Sequence, residues 1–302
     1  MTNEQQKSSQ QYGAYQVHQL IGTGSQSAVY VATHQDTGQE VALRLLLVNV
    51  KSAAQVIQQC SVIIEEIMAT DVPNSVRVLD YGSQDNVLYM ALDLMRGGSL
   101  LQRMRKHAID VPGQAPTLLP SLDELLDMTG RIVEALDALH ARGLVHGQLD
   151  PRSILFNEYG EAYLADIGFT RLNKTIYSLE TTNSLNVTKY TAPELWDGVR
   201  PTATTDQYCL ACIVYELLTG KAAFDATSIF GWMQAHVNDI VTPPHYVRKN
   251  LPADLAMVFW QALAKPIDRR YVSIMEFYDA FEQSVSMVDS DDSTGFFSEP
   301  LL

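Results

Sequence analysis

Three cysteines in 302 residues are too few for a disulfide framework, and their odd number fits a reducing, cytoplasmic compartment. Basic side chains are also scarce: 21 Lys and Arg stand against 35 Asp and Glu, a formal charge of -14. Such a field repels polyphosphate backbones, and no basic run or basic-aromatic interleaving offsets it, so nucleic acid is excluded as a partner class. No stretch approaches about 18 uninterrupted apolar residues. The N-terminal MTNEQQKSSQQ lacks the charged start and apolar block of a secretion signal, so no membrane insertion is expected in this chain. Internal repeats are absent as well.

What the chain does have is apolar mass. At 46% hydrophobic residues it can bury one large core or two lobes. Residues 1–12 are too polar to pack, and 286–302 carry Asp289, Asp291, Asp292 and Glu299 among small residues, so both tails are expected to be disordered. Between them the pattern changes once. YQVHQLIG, SAVYVATH and EVALRLLLV are short β runs separated by turn signals such as QDTG. A helical stripe of Ala53, Ile57, Cys60, Ile64 and Ile67 follows, then the strand-like SVRVLDYG and NVLYMALDLM. From Leu122 onward long helical periods dominate, in LDELLDMTGRIVEALDALHARG, TDQYCLACIVYELLTG, ADLAMVFWQALA and IMEFYDAFEQSV. His107 to Pro120, rich in Pro and Gly, reads as a mobile surface loop. The expectation is an α+β architecture: a small β-rich lobe with one helix over 13–95, and a larger helical lobe over 96–285.

Glycines at Gly22 and Gly24, in IGTGSQSAVY between the first two strands, allow backbone amides to approach a phosphate. Alone this signal is weak. It is followed in order by VALR at 41–44, HGQLDPRS at 146–153, DIG at 166–168 and APE at 192–194. That succession resembles the eukaryotic-type protein kinase superfamily, particularly its bacterial serine/threonine branch, over about residues 15–285. The resemblance implies the two-lobed kinase fold, with Asp206 as the buried aspartate of the central helix and Arg270 as the partner of Glu194. It implies ATP with magnesium as ligand and assigns the nucleotide to Gly22, Gly24, Ser27, Arg44, Asp93 and Met95.

The departures fall on the chemistry. In this family a Lys holds phosphates, an Asp and an Asn hold magnesium, and a catalytic-loop Asp receives the substrate hydroxyl proton. Here Gln148 occupies the base position, and a neutral amide cannot take a proton, so a loss of about 10²–10⁴-fold is expected. Ser153 replaces the magnesium-binding Asn and is a weak ligand, which leaves Asp166 as the one good hard-cation ligand, against the alternative that it caps the turn. Arg44 replaces the Lys and is either a phosphate contact or a salt-bridge partner of Asp166 or Glu66. The helix Glu that would pair this cation is Ile63, and Ser27 replaces the third glycine. The Asp, Lys and Thr network of the family has become Gln148, Asp150 and Val187, with Asn186 in place of the accompanying Gly.

The expected function is therefore a pseudokinase: a protein-binding scaffold that requires no cofactor and binds ATP with magnesium weakly. By resemblance its partner is another protein, such as an active kinase. The alternative is a divergent active serine/threonine kinase in which Asp150 acts as surrogate base. Three further features receive plain structural readings. Cys209 and Cys212 form a C-x-x-C inside an apolar helix without a second pair, which favours core packing over zinc. His140 and His146 are placed as scaffold residues. Thr175, Ser178, Thr181, Thr182, Ser184 and Thr188 lie in the activation-loop region, but Gly147 replaces the arginine that would receive a phosphate there, so no phosphorylation switch is expected.

Overall fold

A computed structural model of the chain describes residues 10–24, 27–50, 52–109, 114–177, 187–286 and 296–297. It is α+β, as expected, and divides into two compact units. The first takes in the described residues of Met1–Asp71, Val76–Met95 and Arg171–Thr182. The second takes in those of Val72–Ser75, Arg96–Thr170 and Asn183–Leu302.

The first unit is built on an antiparallel sheet of β1 (Gln11–Tyr12), β2 (Tyr15–Thr23), β3 (Ser27–His34), β4 (Glu40–Leu47), β5 (Val78–Gln84) and β6 (Val87–Leu92). The strands lie in the order β1-β2-β3-β4-β6-β5. One face buries Tyr12, Tyr15, Ala32, Val41, Leu43, Leu45 and Ala91. The Tyr15 hydroxyl donates to Asp80 Oδ2 at 3.0 Å, so a polar tip is satisfied where its ring is buried. Between β4 and β5, α1 spans Ala53–Met68 and buries Ala53, Val56, Cys60 and Ile64. Val56 thus takes the buried place expected of Ile57, which is half-buried, because the stripe drifts around a helix of 3.6 residues per turn.

The second unit holds α2 (Leu100–Lys106), α3 (Leu122–His140), the β7-β8 hairpin (Ile154–Phe156 and Ala162–Leu164), the first two residues of α4 (Phe169–Tyr177), α5 (Pro193–Trp196) and α6 (Ala203–Thr219). It continues with α7 (Ile229–Asn238), α8 (Pro244–Val247), α9 (Leu255–Ala262) and α10 (Ile274–Val285). Most of α4, from Arg171 on, groups with the first unit. Capping boxes at Ser99/Gln102 and Ser121/Glu124 start α2 and α3 by satisfying amides the helices cannot pair internally. Every residue of α6 from Thr205 to Thr219 is buried, as a helix apolar around its circumference requires. It ends at Gly220, whose φ of +73° is the left-handed cap that glycine adopts without strain. Cys209 and Cys212 lie in this core as free thiols, and among the described residues no cluster of His, Cys, Asp or Glu is arranged to hold a metal.

Three tail and loop expectations are corrected. Gln11 and Tyr12, placed in a disordered tail, form β1, because Tyr12 has an apolar face to bury beside Tyr89. Phe296 and Phe297, placed in the acidic tail, are buried in the second unit, since two adjacent aromatics outweigh the acidic residues around them. Ile109, inside the span read as a mobile loop, is fully buried, while residues 110–113 lie outside the described set.

His236 on α7 carries a pH prediction. Its Nε2 donates to the Lys189 carbonyl at 2.9 Å and its Nδ1 accepts from the Tyr208 hydroxyl at 2.9 Å, which uses the neutral imidazole fully. Burial, assisted by the Lys265 cation, pushes its pKa down to about 4 against the opposing pull of the Lys189 carbonyl. A base with a depressed folded pKa contributes stability that is complete above its unfolded value and is lost as pH falls toward the folded one. Stability at pH 5 should therefore be lower than at pH 7 by about 2 kcal/mol from this residue. Urea midpoints at the two pH values check this, and a slope that persists undiminished in His236→Gln would contradict it.

Candidate functional site

Within the second unit, the loop from His146 to Ser153 is held from below by Asp206 on the first turn of α6. This fully buried carboxylate accepts the backbone N–H groups of His146 at 2.9 Å and Gly147 at 2.7 Å, and His140 Nε2 lies 2.9 Å away. His146 uses its Nε2–H to donate to the Ala165 carbonyl at 3.0 Å, and its Nδ1 faces the Gln148 amide at 3.4 Å. Ala165 in turn donates its N–H to the Ser153 carbonyl at 2.8 Å. The HGQLDPRS loop and the DIG turn are thereby fastened together. Both histidines are scaffold residues, as the sequence indicated.

On this frame stand the residues that would do chemistry. Gln148 is half-buried. Asp150 is buried and bound within its own loop: its carboxylate accepts the Arg152 backbone N–H at 2.7 Å and Arg152 Nε at 3.0 Å, and it also receives Arg152 Nη2. The hydrogen bond to Asp150 raises the Arg152 pKa. A carboxylate already bound by a guanidinium fork is a weak proton acceptor, which counts against Asp150 as surrogate base. Sequence reasoning passed over Arg152. The signal was there in D-P-R, where a proline-initiated turn brings residue i+2 back onto the aspartate.

Asp166 lies at φ +62°, a left-handed backbone rarely adopted outside glycine. Such conformations persist where the surroundings over-determine them, and here the Ala165 carbonyl is tied to His146 and the Asp166 carbonyl accepts the Phe169 N–H at 3.0 Å. Ser153 is buried beside Asp150, with its N–H donated to the Asp150 carbonyl at 2.9 Å.

Farther along, Glu194 of the APE motif meets Arg270 in a buried fork, with Nη1 at 3.0 Å from Oε1 and Nη2 at 2.8 Å from Oε2, while Thr205 donates to Oε1 at 2.8 Å. Burial alone would raise the Glu194 pKa, but the hydrogen bonds and charge of Arg270 outweigh it and hold the carboxyl below its usual range. The expected pairing of these two residues is present.

In the first unit, Gly22 pairs with Val29 after an irregularity in β2, and the Gly24 N–H donates to the Ser27 carbonyl at 2.8 Å, so that amide closes the hairpin. Residues 25–26 lie outside the described set. Arg44 sits in β4 opposite Val29 and Met90. Glu66 is engaged by Arg171 Nη2 at 2.7 Å, an exposed pair. The Asp93 carboxylate is bound by Arg77 through Nε at 2.9 Å, Nη2 at 3.0 Å and the backbone N–H at 3.0 Å, and the Asp93 N–H donates to the Arg77 carbonyl at 3.2 Å. Met95 is buried. Of the loop hydroxyls, Thr175 donates to the Arg171 carbonyl and Thr188 accepts the Tyr190 N–H, whereas Ser178, Thr181, Thr182 and Ser184 lie outside the described residues.

Comparison with known proteins agrees with this arrangement. The protein kinase domain family matches residues 15–271. Serine/threonine-protein kinase PknE of Mycobacterium tuberculosis is 28% identical over 288 residues, which cover 94% of this chain and 48% of that protein. PknH of the same organism is 25% identical over 280 residues, covering 93% of this chain and 43% of that protein. This chain thus spans less than half the length of those relatives. The crystal structure of the M. tuberculosis PknI kinase domain superposes with a TM-score of 0.67 at 25% identity, over 92% of this chain and 98% of that one. No helix among the described residues is long and apolar enough to cross a membrane. With its catalytic-loop frame, its Glu194–Arg270 pair and a family match over most of its length, the chain belongs to the protein kinase domain family.

Proposed function

We propose that this kinase-family domain has kept the scaffold and lost efficient phosphoryl transfer, and that it works by holding a protein partner, with ATP and one magnesium ion as weak ligands. The observation that carries this reading is the fate of the proton acceptor: Gln148 stands at the base position and Asp150 is bound by Arg152. Phosphoryl transfer in this family rests on positioning and charge neutralisation, and the base and second metal position each contribute by orders of magnitude. Asp166, with Ser153 in weaker support, would hold magnesium, and Gly22, Gly24, Ser27, Arg44, Asp93 and Met95 would receive the nucleotide.

A second reading, a divergent active serine/threonine kinase with Asp150 as base, is favoured by the relatives, which are named as serine/threonine kinases. Left-handed Asp166 also suits it, since strain of this kind gathers at working sites. In that case Asp150 must first leave Arg152. The substitution Asp150→Asn separates the two: label transfer from ATP should be unchanged from its low background on the scaffold reading, and should fall by about 10²-fold or more on the kinase reading. A thermal shift with ATP should require magnesium and vanish in Asp166→Ala; a shift of equal size in that variant would remove Asp166 from the metal site.

A further inference from the structure

The second unit contains a built site that kinase chemistry does not use. Phe296 and Phe297, which follow residues 286–295 in sequence, are buried against α2, the start of α3 and β7. Two side chains clamp the Phe296 backbone: Glu124 Oε1 accepts its N–H at 3.0 Å, and Arg103 Nη1 donates to its carbonyl at 3.1 Å. Each ring has its own seat. Phe296 lies 4.7 Å from the His107 ring, and Phe297 stacks on Phe156 with centroids 4.9 Å apart and planes 14° from parallel. Arg103 is itself buried, with Nη2 donating to the Gly97 carbonyl at 2.8 Å and its guanidinium 4.5 Å from the Phe156 centroid. The tail carbonyl takes one of the two hydrogen bonds this buried guanidinium makes, and a buried arginine that loses such an acceptor is costly unless something else covers it.

A main-chain clamp flanked by two aromatic seats is the design of a peptide-recognition site: the clamp reads backbone and the seats read side chains. We propose that this pocket is a docking site for an extended segment bearing two consecutive phenylalanines, filled here reversibly by the chain's own tail. Ten residues of sequence, 286–295, join α10 to Phe296. Short tethers raise the local concentration to about 1 mM, so a pocket with an intrinsic dissociation constant near ~0.1 mM would be closed about ten times out of eleven and still open readily. The same pocket would then accept the tail of a second copy, or another aromatic-pair segment, whenever the resident tail is displaced. This inference is independent of whether the domain transfers phosphate.

Two measurements on the full chain test it. A labelled synthetic peptide of residues 289–302 should bind the Phe296→Ala/Phe297→Ala chain about tenfold more tightly than the native chain, in which the resident tail competes. The same peptide with both phenylalanines replaced by alanine should not bind. Equal affinity for the two chains, or no binding to the double variant, would overturn the proposal. Hydrogen exchange on the native chain needs no variant: the Phe296 amide should exchange at least tenfold faster than the amides of α6, by local opening. Exchange of Phe296 only together with Leu210 and Ile213 would make the tail a permanent part of the core and would equally overturn it.

Discussion

Asp206→Ala is expected to destabilise the helical unit by about 3–5 kcal/mol, because it orphans two buried backbone N–H groups at once. Those groups, on His146 and Gly147, have their carboxylate acceptor at 2.9 and 2.7 Å, and His140 loses its partner too. Gly147 sits at φ +76°, so once released the loop has few restraints to keep that backbone. The loss should appear as a lower urea midpoint with an unchanged slope. Asp206→Asn, which keeps one acceptor oxygen, should lose less. A change under about 1 kcal/mol in the alanine variant would mean that water replaces the carboxylate, contrary to the closed frame described here.

Arg270→Ala is the second large effect, again about 3–5 kcal/mol, since it leaves Glu194 buried without its cation. That figure measures the cost of an uncompensated charge and not the net worth of the pair. Replacing both residues together, Glu194→Leu with Arg270→Met, should recover much of the loss, because desolvation of two charges disappears along with their attraction. The single variant should also become less sensitive to acid below the usual glutamate range. Glu194, whose pKa is held down by Arg270, contributes stability that is present above its unfolded pKa and is lost as pH falls through its folded one. If the double variant were as unstable as Arg270→Ala alone, packing rather than charge would explain the site.

Strands β2, β3 and β4 and helices α3, α6 and α10 were legible because each combines a clean period with a turn or cap signal at its end. The Glu194–Arg270 pair and the burial of Asp206 followed from the resemblance. Short elements were not legible: α2, β7 and β8 run 7, 3 and 3 residues, too few for a period to show. The helix α4 was hidden because FTRLNKTIY is polar in composition and lay in a span read as a loop. Phe296 and Phe297 were missed since composition weighs a tail as a whole, while burial is decided by two side chains with a matching pocket.

In the candidate site, sequence placed the substitutions but not their consequences. Gln148, Ser153 and Asp166 stand in the loop and turn expected of them, yet only coordinates show Asp150 bound by Arg152 and Asp93 bound by Arg77. The second joins side chains sixteen residues apart, which no local pattern encodes, whereas the first had only the D-P-R turn as its signal.

The most direct test is transfer of label from γ-labelled ATP with magnesium, to the chain itself and to a mixed serine/threonine peptide set, with Asp166→Ala as control. The account predicts transfer at the background of the control. Magnesium-dependent transfer in the native chain that disappears in Asp166→Ala would contradict it and establish an active kinase.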